Sequence, residues 1–172
     1  MKQLFVALLI FCWGQVSAAT APAEQIDWDA LIPPDFNPMA VLEKYGNVDE
    51  MADDDPRVPE IMAEMRRVMD AAPVVMAMDG RRVKIPGFVV PLETDGVKLY
   101  EFLLVPYYGA CIHVPPPPNN QVIYVKVAES DARIRKAFDT VWVIGTLSAK
   151  SFSSDLAEAG YQMQAEQVLP YE

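Results

Sequence analysis

The stretch VWVIGTL, residues 141–147, and the later stretch YQMQAEQVL, residues 161–169, decide the expected fold. In the second stretch the apolar residues Tyr161, Met163 and Ala165 alternate with polar ones. A period of two is typical of a β-strand with one buried face. Both stretches are therefore predicted to be strands, and the one at residues 161–169 to have one buried face.

Four further segments carry strand signals and lie next to turn-forming residues. A hairpin is predicted at Asp79-Gly80, a bulge or bend at Pro86-Gly87, and burial of both faces for residues 102–105. The four predicted strands cover residues 74–78, 82–92, 97–105 and 122–127. Together with the two closing stretches, they predict a mainly β (α+β) chain folded as a small antiparallel barrel or a strongly curved sheet.

The closing pattern V-x-V-x-G-x-L, then Y-x-M-x-A-x-x-V, is similar to that of oligonucleotide/oligosaccharide-binding (OB) barrels. Gly145 would let its strand bend sharply around a narrow barrel, because glycine carries no side chain. Any small curved antiparallel sheet would satisfy the same pattern, so both alternatives stand.

Helix signals are fewer than strand signals. Residues 59–71 (PEIMAEMRRVMDA) place isoleucine, valine and methionine at helical spacing, which is typical of a helix packed on a core. Shorter helices are expected at residues 41–45 and 131–138. The expected organisation is a signal peptide at residues 1–18, an extended N-terminal arm with an acidic loop at 19–58, and a helix plus β-barrel domain at 59–172.

The N-terminus resembles an export signal. An apolar run from Leu4 to Trp13 follows Lys2, and Val16 and Ala18 fit cleavage after Ala18. The run is too short to cross a bilayer core of ~30 Å as a helix. We therefore expect a periplasmic protein with no transmembrane segment after cleavage.

The charge balance limits the class of partner. The full chain has a formal net charge of −10, and without residues 1–18 it would keep 13 basic and 24 acidic side chains. Nucleic-acid binding needs an excess of lysine and arginine on one face. A nucleic-acid partner is therefore not expected.

The segment GACIHVPPPP, residues 109–118, contains the only histidine of the chain and the one cysteine that export would leave. Cys111 and His113 suit zinc or copper(I), with the remaining ligands supplied by carboxylates, a partner or water. As a nucleophilic pair they fit poorly, because residues i and i+2 of a strand lie ~6.6 Å apart, so no enzyme activity is expected.

Two alternatives to a metal site remain at this segment. In the first, the pair is structural, and the side chains of residues 113 and 119–121 donate hydrogen bonds to the carbonyl groups of the proline-rich loop. In the second, the loop is a recognition surface, because a preformed polyproline segment binds aromatic grooves. Its partner-binding residues would be Tyr107, Tyr108, Pro115, Pro116, Pro117 and Pro118.

The segments PGFVVPLE (86–93) and VPYYGACIHVPPPPNNQ (105–121) resemble the signature of an uncharacterised family of exported bacterial proteins, a domain of unknown function. The resemblance covers residues 26–170. It implies a periplasmic or lipoprotein location and no established enzyme activity. Some members are similar in gene setting to accessory proteins of ABC transporters, including zinc-responsive clusters.

Two functions are therefore expected of this chain. The first is a periplasmic, non-enzymatic accessory or binding protein in zinc homeostasis or ABC-transporter support, with Cys111 and His113 as ligands. The second is a protein-interaction module that presents the tyrosine- and proline-rich loop without a metal, to transporter components or to another periplasmic protein.

Overall fold

The computed structural model describes residues 22–52, 54–94, 98–111, 117–128 and 136–171. Within these ranges the α-helices are α1 (Ala40–Glu43) and α2 (Val58–Asp70). The strands in the same ranges are β1 (Glu24–Gln25), β2 (Arg82–Thr94), β3 (Leu99–Val105), β4 (Ile123–Val127), β5 (Thr140–Ser148), β6 (Phe152–Ser153), β7 (Glu158–Ala159) and β8 (Tyr161–Pro170).

Five long strands form a closed barrel in the order β2-β3-β4-β8-β5, and pairing of β5 with β2 closes it. Strands β4 and β8 run parallel, whereas the other pairs within the barrel are antiparallel. Counted along the chain, the barrel strands therefore follow the order 1-2-3-5-4. The prediction of a small OB-like barrel is confirmed.

Strand β2 is the longest and pairs with two neighbours within the barrel. Its first half, from Arg82 to Phe88, pairs with β5 in an unbroken register, and its second half pairs with β3. The predicted bulge at Pro86-Gly87 is therefore wrong, since the register shifts fall between Pro91 and Thr94. At Phe88, β2 changes from pairing with β5 to pairing with β3. The strand makes this change by curving, without the inserted residue of a bulge.

Strand β5 bends closely over β8 at Gly145, as the sequence predicts. A Cβ atom on Gly145 would lie 2.3 Å from the carbonyl oxygen of Gln164 and 2.9 Å from Cγ of Met163. Backbone cannot yield to such a contact, so only glycine allows the strands to approach this closely. The register between β5 and β8 shifts at this point, between Ile144 and Gly145.

Side chains from all five barrel strands fill the interior. The predicted burial of both faces in residues 102–105 is confirmed, because these four residues are at most 1 % exposed. The interior cluster includes Val83, Ile85, Val89, Phe102, Leu104, Ile123, Val125, Val141, Val143, Leu147, Tyr161, Met163 and Ala165.

A second apolar cluster covers the outside of β3 and β4. Leu103 and Tyr124 point away from the interior cluster and are nevertheless buried. The small hairpin of β6 and β7 lies over them, and the ring of Phe152 stacks on that of Tyr124 at 3.7 Å. The chain therefore uses its own hairpin to cover one outer face of the barrel.

The strand predicted at residues 74–78 is wrong. Met76–Met78 form a 3-10 helix, and the backbone N–H of Val75 donates to the hydroxyl of Tyr161 at 2.6 Å. That hydroxyl in turn donates to the carbonyl of Leu31 at 3.0 Å. The buried Tyr161 side chain on β8, instead of a neighbouring strand, therefore accepts the hydrogen bond of this segment's backbone N–H.

The N-terminal arm is only partly extended. It includes 3-10 helices at Trp28–Leu31 and Val48–Glu50 as well as α1, which ends shortly before Gly46. Strand β1 pairs in parallel with the start of β2. Short helical turns therefore carry the arm across the barrel.

Helix α2 matches the helix predicted at 59–71 closely. Its predicted core face is only partly buried, since Ile61 is 5 % exposed and Met62 is 57 % exposed. The signal peptide and most of the helix predicted at 131–138 lie outside the described residues. Within the described ranges, no helix is both long and apolar enough to span a bilayer.

Candidate functional site

The turn after β3, residues 106–111, contains Gly109, Ala110 and Cys111 of the GACIHVPPPP segment. Gly109 has a φ of 81° and Cys111 a φ of 68°. Left-handed backbone at a residue other than glycine is strained by roughly 1 kcal/mol, so surrounding contacts must hold Cys111 in place. The turn bends the chain back over the outer cluster, where Ala110 is fully buried.

The thiol of Cys111 packs against this outer cluster and is half-buried. Burial raises its pKa from 9.0 to about 11. The thiolate is the form that acts as a nucleophile and as a metal ligand. At neutral pH this side chain is therefore a protonated, weakly reactive thiol.

The other half of the predicted metal pair, His113, lies outside the described residues, as do Pro115 and Pro116. Among the residues that are described, no group of three or more His, Cys, Asp or Glu side chains is placed to hold a metal ion. Zinc binding by Cys111 and His113 stays a prediction. Of the four prolines, Pro117 is buried and Pro118 half-buried.

We expect alkylation of Cys111 by iodoacetamide at neutral pH to be about 100-fold slower than that of an unperturbed thiol. The reason is that each unit of raised pKa lowers the thiolate fraction about tenfold. The measurement is the pseudo-first-order rate against pH, with and without added zinc. A rate that is half-maximal only near pH 11 and is unchanged by zinc supports this environment, whereas fast labelling that zinc blocks would contradict it.

The amide side chains that follow the prolines join the barrel to the N-terminal half of the chain. Nδ2 of Asn119 donates to the carbonyl of Asp70 at 2.8 Å, and Nδ2 of Asn120 to that of Pro73 at 2.9 Å. Nε2 of Gln121 donates to the carbonyl of Trp28 at 2.8 Å. In the described part of the chain, these donors therefore serve carbonyl groups of α2, of the segment after it and of the arm, and not those of the proline-rich loop as the structural alternative predicts.

The two tyrosines of the turn differ in their surroundings. Tyr107 is 40 % exposed and Tyr108 is 67 % exposed. The ring of Tyr108 nevertheless has fixed neighbours, since it meets Phe88 edge-on at 6.1 Å and Phe138 at 4.9 Å. An exposed ring held between two others is preorganised for contact with a partner.

Beside Tyr108 lies a groove of about 260 Å³ that the sequence analysis missed. Tyr171 stacks on Trp142 at 5.3 Å and is half exposed, and the indole N–H of Trp28 donates to the carbonyl of Pro86 at 2.8 Å. We call this feature the aromatic groove; its lining residues are Trp28, Pro86, Gly87, Phe88, Pro106, Thr140 and Tyr171.

Phe88 belongs both to the aromatic groove and to the cluster around Tyr108, so the two form one continuous surface. The arm, β2, the turn after β3 and the chain end after β8 all contribute to it. The sequence signal was limited to aromatic residues in distant segments. No local pattern shows that these segments meet.

The surface that other OB barrels use for ligands is filled in this chain. Those barrels bind oligonucleotides and oligosaccharides on the face of their second and third strands, which here are β3 and β4. On that face Leu103 and Tyr124 are buried under the hairpin that carries Phe152. Bases therefore have no open stacking platform there.

Comparison with known proteins agrees with this fold. A solved structure of a DUF3299 family protein from Pseudomonas aeruginosa PAO1 is 39 % identical, covering 88 % of this chain and 98 % of that one, with a TM-score of 0.64. No curated protein matches the sequence. The model of the family described as "Protein of unknown function (DUF3299)" matches residues 28–170, and the chain belongs to that family.

Proposed function

We propose that the protein is a non-enzymatic binding protein of the periplasm that holds an extended segment of a partner protein in the aromatic groove and against Tyr108. The observation that carries the proposal is the continuity of this surface, in which Tyr108 and Tyr171 are 67 % and 50 % exposed. Aromatic residues at the surface dominate protein–protein contacts, because they bury a large area at a low cost in side-chain entropy.

The chemistry of the groove favours an extended, proline-containing segment. Grooves lined by aromatic rings bind such segments because a polyproline II backbone is already ordered before binding. At about 260 Å³ the groove is small, which suits a few side chains of a peptide better than a whole cofactor. An ABC-transporter component exposed to the periplasm is the partner class that the family resemblance favours.

The state of Cys111 supports a role without catalysis. A thiol with a pKa of about 11 is a weak nucleophile at neutral pH, and its hydrophobic surroundings explain its position without chemistry. In this account the cysteine anchors the turn that presents Tyr108.

The test is a photoreactive benzophenone amino acid placed at residue 108 in intact cells. We expect one defined covalent adduct after irradiation, because Tyr108 borders the binding surface. Met76 is the matched control, since it is 66 % exposed but lies in the 3-10 helix Met76–Met78, outside the groove. The same adduct with equal yield from both positions, or none from residue 108, would contradict the proposal.

A further inference from the structure

The N-terminal half of the molecule contains a second groove, separate from the aromatic groove. It has a volume of about 270 Å³ and lies between α1, the 3-10 helix Val48–Glu50 and the start of α2. Every residue that lines it is apolar: Leu42, Val48, Met51, Ala52, Val58, Ile61 and Met62. We call it the methionine groove.

The floor and the edge of the methionine groove differ in exposure. Ile61 is 5 % exposed and forms part of the floor, whereas Met62, in the next position of α2, is 57 % exposed. Methionine is flexible and polarisable, and surfaces rich in it accept apolar side chains of varied shape. The groove therefore offers an apolar, adaptable contact surface.

The walls of the groove are held together before any partner binds. Just after α1, Lys44 and Tyr45 both contact the carboxylate of Glu64 on α2, and the tyrosine hydroxyl donates at 2.7 Å. The hydrogen bond to Glu64 raises the pKa of Tyr45 to about 12, and the contacts from Lys44 and Tyr45 lower the pKa of Glu64. Binding therefore need not order α1 against α2.

Charge is concentrated on this half of the chain. Residues 22–80 contain 14 acidic and 4 basic side chains, whereas residues 81–172 contain 10 and 9. Nearly all of the net negative charge of residues 22–172 therefore belongs to the segments that build the methionine groove and the arm.

Two of the four cations in residues 22–80 are engaged beside the groove. Lys44 pairs with Glu64, and Arg57 pairs with Asp55 at 2.8 Å. The other two, Arg66 and Arg67, follow about one turn beyond Met62 on α2. Four exposed carboxylates, each within two residues of a lining residue, have no salt bridge in the described part of the chain: Glu43, Glu50, Asp54 and Glu60. The groove is thus an apolar surface with unneutralised negative charge beside it.

We infer that the methionine groove docks a cationic amphipathic helix of a partner protein. The apolar side chains of the partner helix contact Met62 and Ile61, and its lysine and arginine side chains face the surrounding carboxylates. Helix-in-groove recognition combines an apolar seam with flanking charge, and complementary charge both steers the encounter and fixes the orientation. This inference does not depend on the aromatic groove, which lies on other elements.

The test uses two synthetic 14-residue helical peptides, one of leucine and lysine and one of leucine and glutamate with the same apolar pattern. We expect only the lysine peptide to bind, in a 1:1 complex measured by titration calorimetry. Raising the salt from about 0.05 M to about 0.5 M should weaken it several-fold, since the flanking charges are exposed.

Two matched variants locate the binding site. Met62→Lys keeps helix propensity and is expected to weaken binding about tenfold or more, because it puts a cation into the seam. Met76→Lys changes net charge equally at a similar exposure but outside the groove, and is expected to change binding less than about twofold. Circular dichroism melts verify that both variants fold.

Equal losses from both variants, or equal binding of the glutamate peptide, would overturn the inference. So would self-association in sedimentation that Met62→Lys abolishes, because the groove would then bind a second copy of this chain. None of these outcomes affects the adduct expected at Tyr108, so failure of this inference is distinct from failure of the proposed function.

Discussion

Replacing Gly145 by alanine is expected to lower the free energy of unfolding by about 3 kcal/mol or more, because an overpacked core contact forces backbone to move. The new Cβ would lie 2.3 Å from the carbonyl oxygen of Gln164 and 3.1 Å from Cα of Ala165. Both are backbone atoms of β8, so neither can rotate away. For a chain of this length the melting temperature should fall by roughly 10 °C, and thermal and urea unfolding measure it.

The control for this variant is Gly80→Ala. Gly80 has a φ of 74°, yet a Cβ there would meet nothing within 4 Å, so only backbone strain of about 1–2 kcal/mol is expected. If both variants lose the same stability, the close approach of β5 and β8 is not what requires glycine at position 145.

Replacing Asn120 by aspartate is expected to destabilise the protein by about 3 kcal/mol near pH 7 and very little near pH 4. Asn120 is fully buried, and its Nδ2 donates to the carbonyl of Pro73. A protonated carboxyl group could make the same donation, whereas a carboxylate would bring a buried negative charge against that oxygen.

The sign of this pH dependence follows from the direction of the pKa change. Burial would raise the pKa of an aspartate at 120 in the folded state above its unfolded value of about 3.9. Below that value both states are protonated and no penalty exists. As the pH rises further, the unfolded state releases its proton first, so stability relative to the wild type falls steadily until the folded carboxyl also ionises.

The matched control for Asn120→Asp is Gln164→Glu, which makes the same amide-to-acid change at an exposed position of β8. We expect its free energy of unfolding, measured by urea titration, to stay within about 0.5 kcal/mol of the wild type at both pH values. If Asn120→Asp is equally destabilised at both pH values, the loss of stability comes from altered packing, and the hydrogen bond to the carbonyl of Pro73 does not explain it.

Local pattern was sufficient to predict a small barrel or a strongly curved sheet, and the structure shows the barrel. The alternation in Tyr161, Met163 and Ala165 assigns the buried face of β8, and these three side chains do lie in the interior cluster. Gly145 in the preceding stretch correctly marked the sharp bend. Both features are encoded within a few residues, which is the range over which sequence periodicity is informative.

The errors fall where distant contacts outweigh local preference. Residues 74–78 are apolar and read as a strand, but the hydroxyl of Tyr161 takes the N–H of Val75 that a neighbouring strand would have used. In the same way, Asn119 and Asn120 bind carbonyl groups 49 and 47 residues away. Nothing in the neighbouring sequence specifies such acceptors.

In the candidate site, too, local sequence features were predicted and the contacts between distant segments were missed. Tyr107 and Tyr108 were identified from the sequence because the turn and the prolines lie beside them. The aromatic groove was not, since Trp28, Phe88 and Tyr171 come from the arm, β2 and the chain end, and closure of the barrel brings them together.

The central claim is that the aromatic groove together with Tyr108, and not the Cys111–His113 pair, binds the partner. The measurement that tests it most directly is the yield of the adduct from residue 108 in two variant backgrounds, Tyr171→Ala and the double variant Cys111→Ser with His113→Ala. The account predicts about a tenfold loss with Tyr171→Ala, because the groove loses a half-exposed ring, and an unchanged yield in the double variant. A yield that survives Tyr171→Ala and disappears in the double variant would contradict it.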